Sequence, residues 1–290
     1  MINRFSLRGK GLCAAAAALA LAVAGCTADP GVPAPDAALS VPDAAPATPV
    51  PGNSAASDRL EAALDQVAEE AELSVAVRDN RTGAAWSYHA EGRYLEASLV
   101  KVPILLTLIR QATEEQRQLT ADEESLAALM IEYSDNEATS ELYDRLGGPS
   151  ELERTYELIG VGTTEAGEMW GASETTADDQ VLIAQTAACG ADWLDPDLLA
   201  FAVGLMENVC REQAWGIGAG VSGDGAEVAL KNGWLPDDDA AWNVGSAGFI
   251  RTGSGDYSIV VLSAGNSTLS EGIDVVESAA AVINGYGAGS

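Results

Sequence analysis

The sequence predicts an α/β fold of the α+β type in three layers: an antiparallel sheet of about five strands, helices on both faces, and an inserted all-helical lobe. Three observations give this prediction. Segments that alternate apolar and polar residues, as strands do, occur near both ends of the domain. Segments with apolar residues at helical spacing fill the region between them. The domain, residues 58–285, has about 230 residues, which is enough to bury one sizeable core.

The first 57 residues are predicted to lie outside this domain. Residues 1–25 have the basic start, the apolar core and the small residues of a secretory signal peptide. Residues 23–26 (Val-Ala-Gly-Cys) resemble a bacterial lipobox, in which Cys26 would be lipidated; an ordinary cleavage site with a chance cysteine is the alternative. Residues 26–57 carry seven of the eleven prolines, so we expect an extended tether. The predicted location is the outer face of the cytoplasmic membrane, held there by the lipid.

Within the domain, each element has its own signal. Leucine, valine and alanine at helical spacing predict a first helix over 58–70, and a hairpin follows around residues 80–83 (Asn-Arg-Thr-Gly). Ser98 opens a long apolar helix. The remaining helices are predicted at Ala121–Glu132, Asn136–Leu146, Pro149–Leu158, Ala177–Ala188, Pro196–Val209 and Ile273–Ile283. The strands are predicted at Leu73–Val77, Ala85–His89, Val228–Gly233, Trp242–Ile250 and Tyr257–Ser263, and residues 286–290 are a short tail.

Composition excludes several classes of function. The formal net charge of −29 leaves no basic surface for phosphate groups, so we expect no nucleic-acid partner. The single histidine, His89, is a poor candidate for a Ser-His-Asp triad and leaves too few ligands for a zinc site. We therefore expect no metal and no other cofactor, and we expect a monomer whose partners are its substrate and the membrane that holds its lipid.

The chemistry-bearing residues lie in three short motifs: 98–101 (Ser-Leu-Val-Lys), 134–136 (Ser-Asp-Asn) and 231–233 (Lys-Asn-Gly). The chain has three lysines, and the two that would survive export, Lys101 and Lys231, both lie in these motifs. A lysine can act as a base if its pKa is lowered, whereas an arginine cannot. One helical turn places Lys101 beside Ser98, because positions i and i+3 share a face.

In order and setting, the three motifs resemble those of the class A β-lactamases and penicillin-binding DD-peptidases. Residues 213–217 and 231–236 are similar to actinobacterial lipoprotein members of that family. The similarity covers residues 58–285 and implies the β-lactamase/DD-peptidase-like fold. It also implies an extracytoplasmic serine hydrolase that forms a covalent acyl-enzyme at Ser98 with a β-lactam or a related small-molecule or peptide amide.

The resemblance gives each motif residue a role. Ser98 would be the nucleophile and Lys101 its base, with a pKa lowered by burial near a second cation. Ser134 would relay a proton to the leaving nitrogen, and Lys231 would orient that hydroxyl and attract a substrate carboxylate.

The supporting residues follow from the same resemblance. Asn136 would hold Lys101 in place, Gly233 would support the site, and Asn232, with Lys231, would bind substrate. The backbone N–H groups of Ser98 and Trp234 would form the oxyanion hole.

Departures from the family pattern concern the release of the acyl group. Hydrolytic class A enzymes carry a glutamate followed closely by an asparagine, in a loop after the Ser-Asp-Asn helices. The corresponding interval, residues 159–175, has Glu165, Glu168 and Glu174 but no asparagine. Glu168 is nearest the expected position of the deacylation base and Glu174 is second. A solvated surface acid is the alternative interpretation of either.

The third motif departs as well. Asn232 stands where a hydroxyl residue is usual, and no arginine lies near Asn243, where many family members hold the substrate carboxylate; Arg251 does not obviously replace it. Three outcomes therefore stay open: a β-lactamase, a DD-peptidase-like acyl transferase acting on cell-wall peptides, and a catalytically inactive binding lipoprotein.

Cys189 and Cys210 would both lie outside the cytosol, where pairing is common. A straight helix between them would separate them by about 20 Å, too far for a disulfide. The sequence leaves this pairing open.

Overall fold

The computed structural model describes residues 49–68, 71–223, 225–253 and 255–288. The predicted signal peptide, the lipidation of Cys26 and most of the predicted tether concern residues outside these ranges. Within them, no helix is both long enough and apolar enough to cross a membrane.

The described residues contain a central antiparallel sheet and one short strand pair. The strands are β1 (Glu72–Asp79), β2 (Ala85–Tyr88), β3 (Tyr94–Leu95), β4 (Glu174–Thr175), β5 (Glu227–Pro236), β6 (Trp242–Arg251) and β7 (Asp256–Asn266). Five of them form the sheet, in the order β2-β1-β7-β6-β5, and every neighbouring pair is antiparallel. This confirms the predicted sheet. β3 and β4, which sequence reasoning missed, pair only with each other among the described strands.

The described helices fall where apolar periodicity predicted them, with shifts at their ends. They are α1 (Ser54–Ala68), α2 (Lys101–Glu114), α3 (Ala121–Glu132), α4 (Asn136–Leu146), α5 (Pro149–Ile159), α6 (Ala177–Cys189), α7 (Pro196–Glu207) and α8 (Leu269–Ala288). α1 begins four residues before the predicted Asp58, because the side chain of Asn53 accepts a hydrogen bond from the Ala56 N–H and caps it. α8 extends to Ala288, into the predicted tail.

The helices α3 and α4 show how local sequence fixes the turn that carries Ser134. Thr120 and Glu123 form a reciprocal capping box at the start of α3. Asp135 caps α4 by accepting a hydrogen bond from the Ala138 N–H at 2.7 Å, and α4 ends at Gly147, whose φ is +102°. The turn between α3 and α4 is thus defined by Asp135, which caps α4 and whose own N–H donates to Leu129 O of α3 at 3.0 Å.

The core lies in two main parts, one on each side of the sheet. α1 and α8 cover one face, where residues such as Leu64, Val261 and Val276 are fully buried together. α6 packs against the opposite face, and the lobe formed around α2 continues the core on that side. α2 is buried on nearly all its sides, which makes it the centre of the lobe. The result is the predicted three-layer α/β architecture, with β5 at the edge of the sheet beside the start of α2.

Candidate active site

Ser98 lies in the short 3₁₀ turn Ala97–Val100, which leads directly into α2. The turn is held by backbone hydrogen bonds from Glu96 N–H to Ser173 O at 2.8 Å and from Ala97 N–H to Gly171 O at 2.9 Å. Ala97 has a φ of +48°, a conformation that an L-residue adopts only when its surroundings require it. Ser98 is half-buried, and its hydroxyl makes no hydrogen bond with the described residues. It is thus held in place and free to react.

Gly233 on β5 packs directly against this turn. A Cβ added to Gly233 would lie 3.0 Å from the backbone nitrogen of Ser98 and 2.9 Å from that of Leu99. Backbone atoms cannot yield as a flexible side chain can, so only glycine allows β5 to approach the nucleophile this closely. The next residue, Trp234, is the second predicted donor of the oxyanion hole.

Lys101 is fully buried one turn after Ser98. Its Nζ donates to Ser134 O at 2.7 Å, to Ser134 Oγ at 3.0 Å and to Asn136 Oδ1 at 2.8 Å. Burial lowers the pKa of Lys101 to about 8, although the charge of Asp135 acts in the opposite direction. Asn136 thus holds Lys101, and the amine can lose its proton near neutral pH.

Lys231 reaches the same point from the edge of the sheet. Its side chain is fully buried, and its Nζ donates to Ser134 Oγ at 3.0 Å and to Asn232 O at 2.9 Å. Burial lowers its pKa well below the ordinary value, and the nearby charge of Lys101 lowers it further. Ser134, whose φ is +57°, therefore places one hydroxyl between two lysine amines.

This arrangement provides a short path for protons. Three motifs that are far apart in the sequence meet at Ser134 Oγ, 3.0 Å from the amine of each lysine. A neutral amine can accept a hydroxyl proton, and a hydroxyl bonded to two amines can pass one onward.

The loop between α5 and β4 reaches the site through Trp170, which sequence reasoning did not single out. Its ring centroid lies 5.2 Å from Lys101 Nζ, and its Nε1 donates to Ser140 Oγ at 3.0 Å. Glu168, the predicted deacylation base, is exposed, and no hydrogen bond joins it to any described residue. Glu174, the second choice, is also exposed and pairs with Arg93 at 3.8 Å. This loop therefore covers Lys101 with the indole of Trp170.

The same loop is anchored by a buried acid. Asp179 at the start of α6 accepts hydrogen bonds from the backbone N–H groups of Gly162, Thr163 and Thr164. Several such N–H donors fill the hydrogen-bonding capacity of a buried carboxylate, so it needs no cation as a partner. Asp179 thus fixes the path of the loop that carries Trp170, a role that local sequence did not reveal.

Glu96, two residues before the nucleophile, is a second acid that sequence reasoning missed. It is 1% exposed, and its Oε1 accepts hydrogen bonds from Tyr156 Oη at 2.9 Å and Gln180 Nε2 at 3.1 Å. Burial raises its pKa to about 7, although both hydrogen bonds favour the charged form. Glu96 ties the nucleophile turn to α5 and α6.

The structure shows a structural role for Asn232. Its side chain is fully buried, and its Nδ2 donates to Gln213 O at 2.8 Å and to Trp215 O at 2.9 Å. The Nδ2 group thus holds the wall of the site, whereas Oδ1 is buried without a partner among the described residues, and the substrate contact of this side chain stays a prediction. Asn243 is also buried, with its Oδ1 accepting from Leu95 N–H.

Of the remaining sequence candidates, Cys189 and His89 lie apart from this arrangement, whereas Cys210 borders it: it acts on the pKa of Lys231, and its N–H donates to Glu132 O at 2.9 Å. Cys189 and Cys210 are both free thiols. His89 is exposed and stacks on Tyr88 with 3.9 Å between ring centroids.

Comparisons with known proteins identify the family and the fold. Residues 55–124 and 122–286 match the model of the beta-lactamase enzyme family. No curated protein matches the sequence. Among solved structures, PBP-A is 20% identical, with a TM-score of 0.67, over 78% of this chain and 95% of that one. A variant of PBP-A has been solved as an acyl-enzyme complex with penicillin G.

Two β-lactamases show the same fold. The enzyme from Sphaerobacter thermophilus is 20% identical, with a TM-score of 0.68, over 79% of this chain and 97% of its own. The TLA-1 extended spectrum β-lactamase is 15% identical, with a TM-score of 0.70, over 79% of this chain and 98% of its own. Because the family model matches most of the chain, the protein is a serine hydrolase that belongs to the beta-lactamase enzyme family.

Proposed function

We propose that the protein forms a covalent acyl-enzyme at Ser98 with a β-lactam or a related amide. One observation carries this proposal: a hydroxyl, Ser134 Oγ, lies 3.0 Å from each of two buried lysine amines. Neither lysine forms an ion pair with a described carboxylate, and burial favours the neutral, basic form of both.

The first step uses these groups in turn. The proton of Ser98 Oγ passes to the neutral amine of Lys101 as Oγ bonds to the acyl carbon. The amide C–N bond then breaks, and the leaving nitrogen takes a proton from Ser134 Oγ, which is resupplied by a lysine ammonium. The products are a Ser98 ester and an amine, which stays attached to the acyl group when the substrate is a β-lactam, with no net change in protons. The N–H groups of Ser98 and Trp234 would stabilise the oxyanion.

For the second step, the structure favours slow release of the acyl group, as in a DD-peptidase-like acyl transferase. The loop side chain over Lys101 is Trp170. Its indole cannot accept a proton from water, and it carries no negative charge that could bind a water. The glutamates of that loop, including Glu168, are exposed. In this proposal the acyl group passes to an amine or, slowly, to water.

Intact-mass measurement after incubation with benzylpenicillin tests both steps. We expect an adduct with the full mass of the penicillin, persisting for minutes or longer, and its loss in Ser98→Ala. Ser125→Ala, which changes an exposed serine on α3, is the matched control and should label normally. Rapid turnover without a detectable adduct would instead indicate a β-lactamase, and no adduct and no turnover would indicate an inactive binding lipoprotein.

The proposed site of action is outside the cytoplasmic membrane, with the protein held by a lipid on Cys26. The order of residues 1–26 supports this proposal. Metabolic labelling with a radioactive fatty acid tests it: the wild-type chain should be labelled and recovered with membranes. Cys26→Ser should be unlabelled, and labelling that persists in this variant would contradict the proposal.

A further inference from the structure

A cavity of about 470 Å³ lies at the end of β5, beside the proposed oxyanion hole. Leu235, which directly follows Trp234, lines it from the sheet. Ala172 lines it from the loop and follows Gly171, whose carbonyl oxygen accepts a hydrogen bond from Ala97 N–H at 2.9 Å. The cavity therefore adjoins the nucleophile turn through both the sheet and the loop.

The direction of β5 decides which part of a substrate reaches this cavity. Positions alternate along a strand, so Lys231, Gly233 and Leu235 lie on one face of the sheet. In the proposed reaction the leaving nitrogen lies toward Ser134 Oγ, 3.0 Å from Lys231 Nζ, and the acyl carbon lies at the N–H of Trp234. The rest of the acyl group therefore continues toward Leu235, about 7 Å beyond Gly233 along the strand.

Asn243 brings an unpaired hydrogen-bond donor to this cavity. It lines the cavity opposite Leu235 in the β5–β6 pair, and it is 6% exposed. Its Oδ1 accepts a hydrogen bond from Leu95 N–H at 3.2 Å, whereas its Nδ2 makes no hydrogen bond with the described residues and is not sealed from solvent. An almost buried amide with a free N–H favours a ligand that brings an acceptor, such as a peptide carbonyl.

The charged groups on the cavity wall are four acids and one arginine. Arg93 pairs with Glu174 at 3.8 Å. Glu72 and Asp238 form no ion pair or hydrogen bond with the described residues, and Asp237 caps the turn after β5 through hydrogen bonds from backbone N–H groups. Three carboxylates of the wall therefore have no cation as a partner within the described structure. Such a group of carboxylates attracts a cation and repels an anion.

We infer that this cavity binds the acyl part of the substrate and selects a peptide-like acyl group that carries a free ammonium. A carbonyl of this group accepts a hydrogen bond from Asn243 Nδ2, and the ammonium lies among the carboxylates of Glu72, Asp237 and Asp238. An uncharged acyl group makes only the first of these contacts. This inference rests on the proposed acylation of Ser98 and specifies its substrate class.

A matched pair of penicillins tests the selection by charge. One has Nα-acetyl-lysine as its acyl chain, with a free Nε amine, and in the other that amine is acetylated. At low salt, adduct formation followed by intact mass should be about tenfold faster for the free amine, and the difference should shrink at high salt, where the attraction is screened. Equal rates, or a faster acetylated compound, would overturn the inference and leave the proposed function intact. Failure of both compounds and of benzylpenicillin to acylate Ser98 would overturn the proposed function itself.

Neutralising two exposed acids tests the assignment to the cavity. Glu72→Gln combined with Asp238→Asn should reduce the preference for the free amine to about threefold or less and leave the rate for the acetylated compound nearly unchanged. Glu157→Gln combined with Glu227→Gln removes the same charge at exposed positions outside the cavity wall and is the matched control. An equal loss of preference in both double variants would assign it to the net charge of the protein and overturn the assignment to this cavity.

Asn243→Asp tests the carbonyl contact, because it keeps the acceptor for Leu95 N–H and removes the donor. It should slow acylation by the acetylated compound about fivefold, and it should change the rate for the penicillin nucleus without an acyl chain less than about twofold. Equal slowing of both compounds would show a structural role for Asn243 and overturn this contact, as would an unchanged rate for the acetylated compound.

Discussion

Buried cations occur in two regions of this protein, and their surroundings differ. Arg110 on α2 is fully buried and bonds to the carboxylates of Glu114 and Glu151 and to Thr155 Oγ1. Lys101 and Lys231 are also fully buried, but their amines donate to hydroxyl, amide and carbonyl oxygens.

The difference in hydrogen-bond partners explains why Arg110 is a structural cation and the two lysines are reactive groups. A buried guanidinium paired with two carboxylates keeps its proton and ties α2 to α5. A buried amine without an acidic partner is pushed toward its neutral form, which is the form that can accept a proton. Arg110 and Lys101 lie within three turns of each other on α2, so the partner groups, and not the location, decide whether the cation is structural or reactive.

The largest expected effect comes from replacing the reactive lysine, Lys101, by arginine, the residue type of the structural cation. Lys101→Arg keeps a positive charge but removes the group that can lose a proton, so acylation should fall by about 10³-fold or more. Stopped-flow or mass-based acylation rates measure this change. Lys101→Met, with a similar length and no charge, should be as slow; a rate within tenfold of wild type in either variant would exclude Lys101 as the base.

Removal of the structural cation should affect folding and leave the chemistry intact. Arg110→Met breaks the hydrogen bonds to Glu151, Glu114 and Thr155, and we expect a loss of about 3 kcal/mol in the free energy of unfolding. Urea denaturation measures this loss. The acylation rate of the folded variant should stay within about twofold of wild type, and a large loss of rate without a loss of stability would contradict the comparison.

The pH dependence of acylation should follow the lysine amines. Because the pKa of Lys101 is lowered to about 8, its neutral fraction at pH 6 to 7 rises about tenfold per pH unit. The acylation rate constant should therefore increase with pH and level off above about 8. A rate that is flat over this range, measured with the same substrate, would show that no lysine proton is lost in this step.

The smallest expected effect comes from the indole over Lys101. Trp170→Leu removes a cation–π contact of about 1 kcal/mol, which favours the charged amine. The midpoint of the pH profile should then move to lower pH by about half a unit. Trp170→Phe keeps an aromatic face and loses the hydrogen bond to Ser140, so its midpoint should move less; an equal shift in both variants would assign the effect to that hydrogen bond.

Sequence reasoning worked best where the signal is local. α3 and α4 begin and end where predicted, because capping residues and a terminal glycine define their ends. The two lysines could be found from composition and motif spacing alone. Helix ends without a strong local signal, as at α8, were placed less well.

What sequence reasoning missed depends on contacts between distant segments. Trp170 lies 69 residues from Lys101, and the partners of Glu96 are on α5 and α6. The hydrogen bonds from Asn232 Nδ2 to the carbonyls of Gln213 and Trp215 were missed as well, because they join β5 to residues that lie 19 and 17 positions earlier in the chain.

Gly233 is in close contact with the nucleophile turn, so the sheet and the helical lobe meet at the reaction centre with no room for another atom. β5 belongs to the sheet, and the turn belongs to the lobe, and the gap between them is smaller than one methyl group. A side chain at position 233 would push β5 and the nucleophile turn apart, and it would displace the N–H of Ser98, a predicted donor of the oxyanion hole. Because the contact is with backbone atoms, the same change would also lower the free energy of unfolding. A loss of reactivity larger than this loss of stability would show that the distance between β5 and the turn matters for the reaction itself.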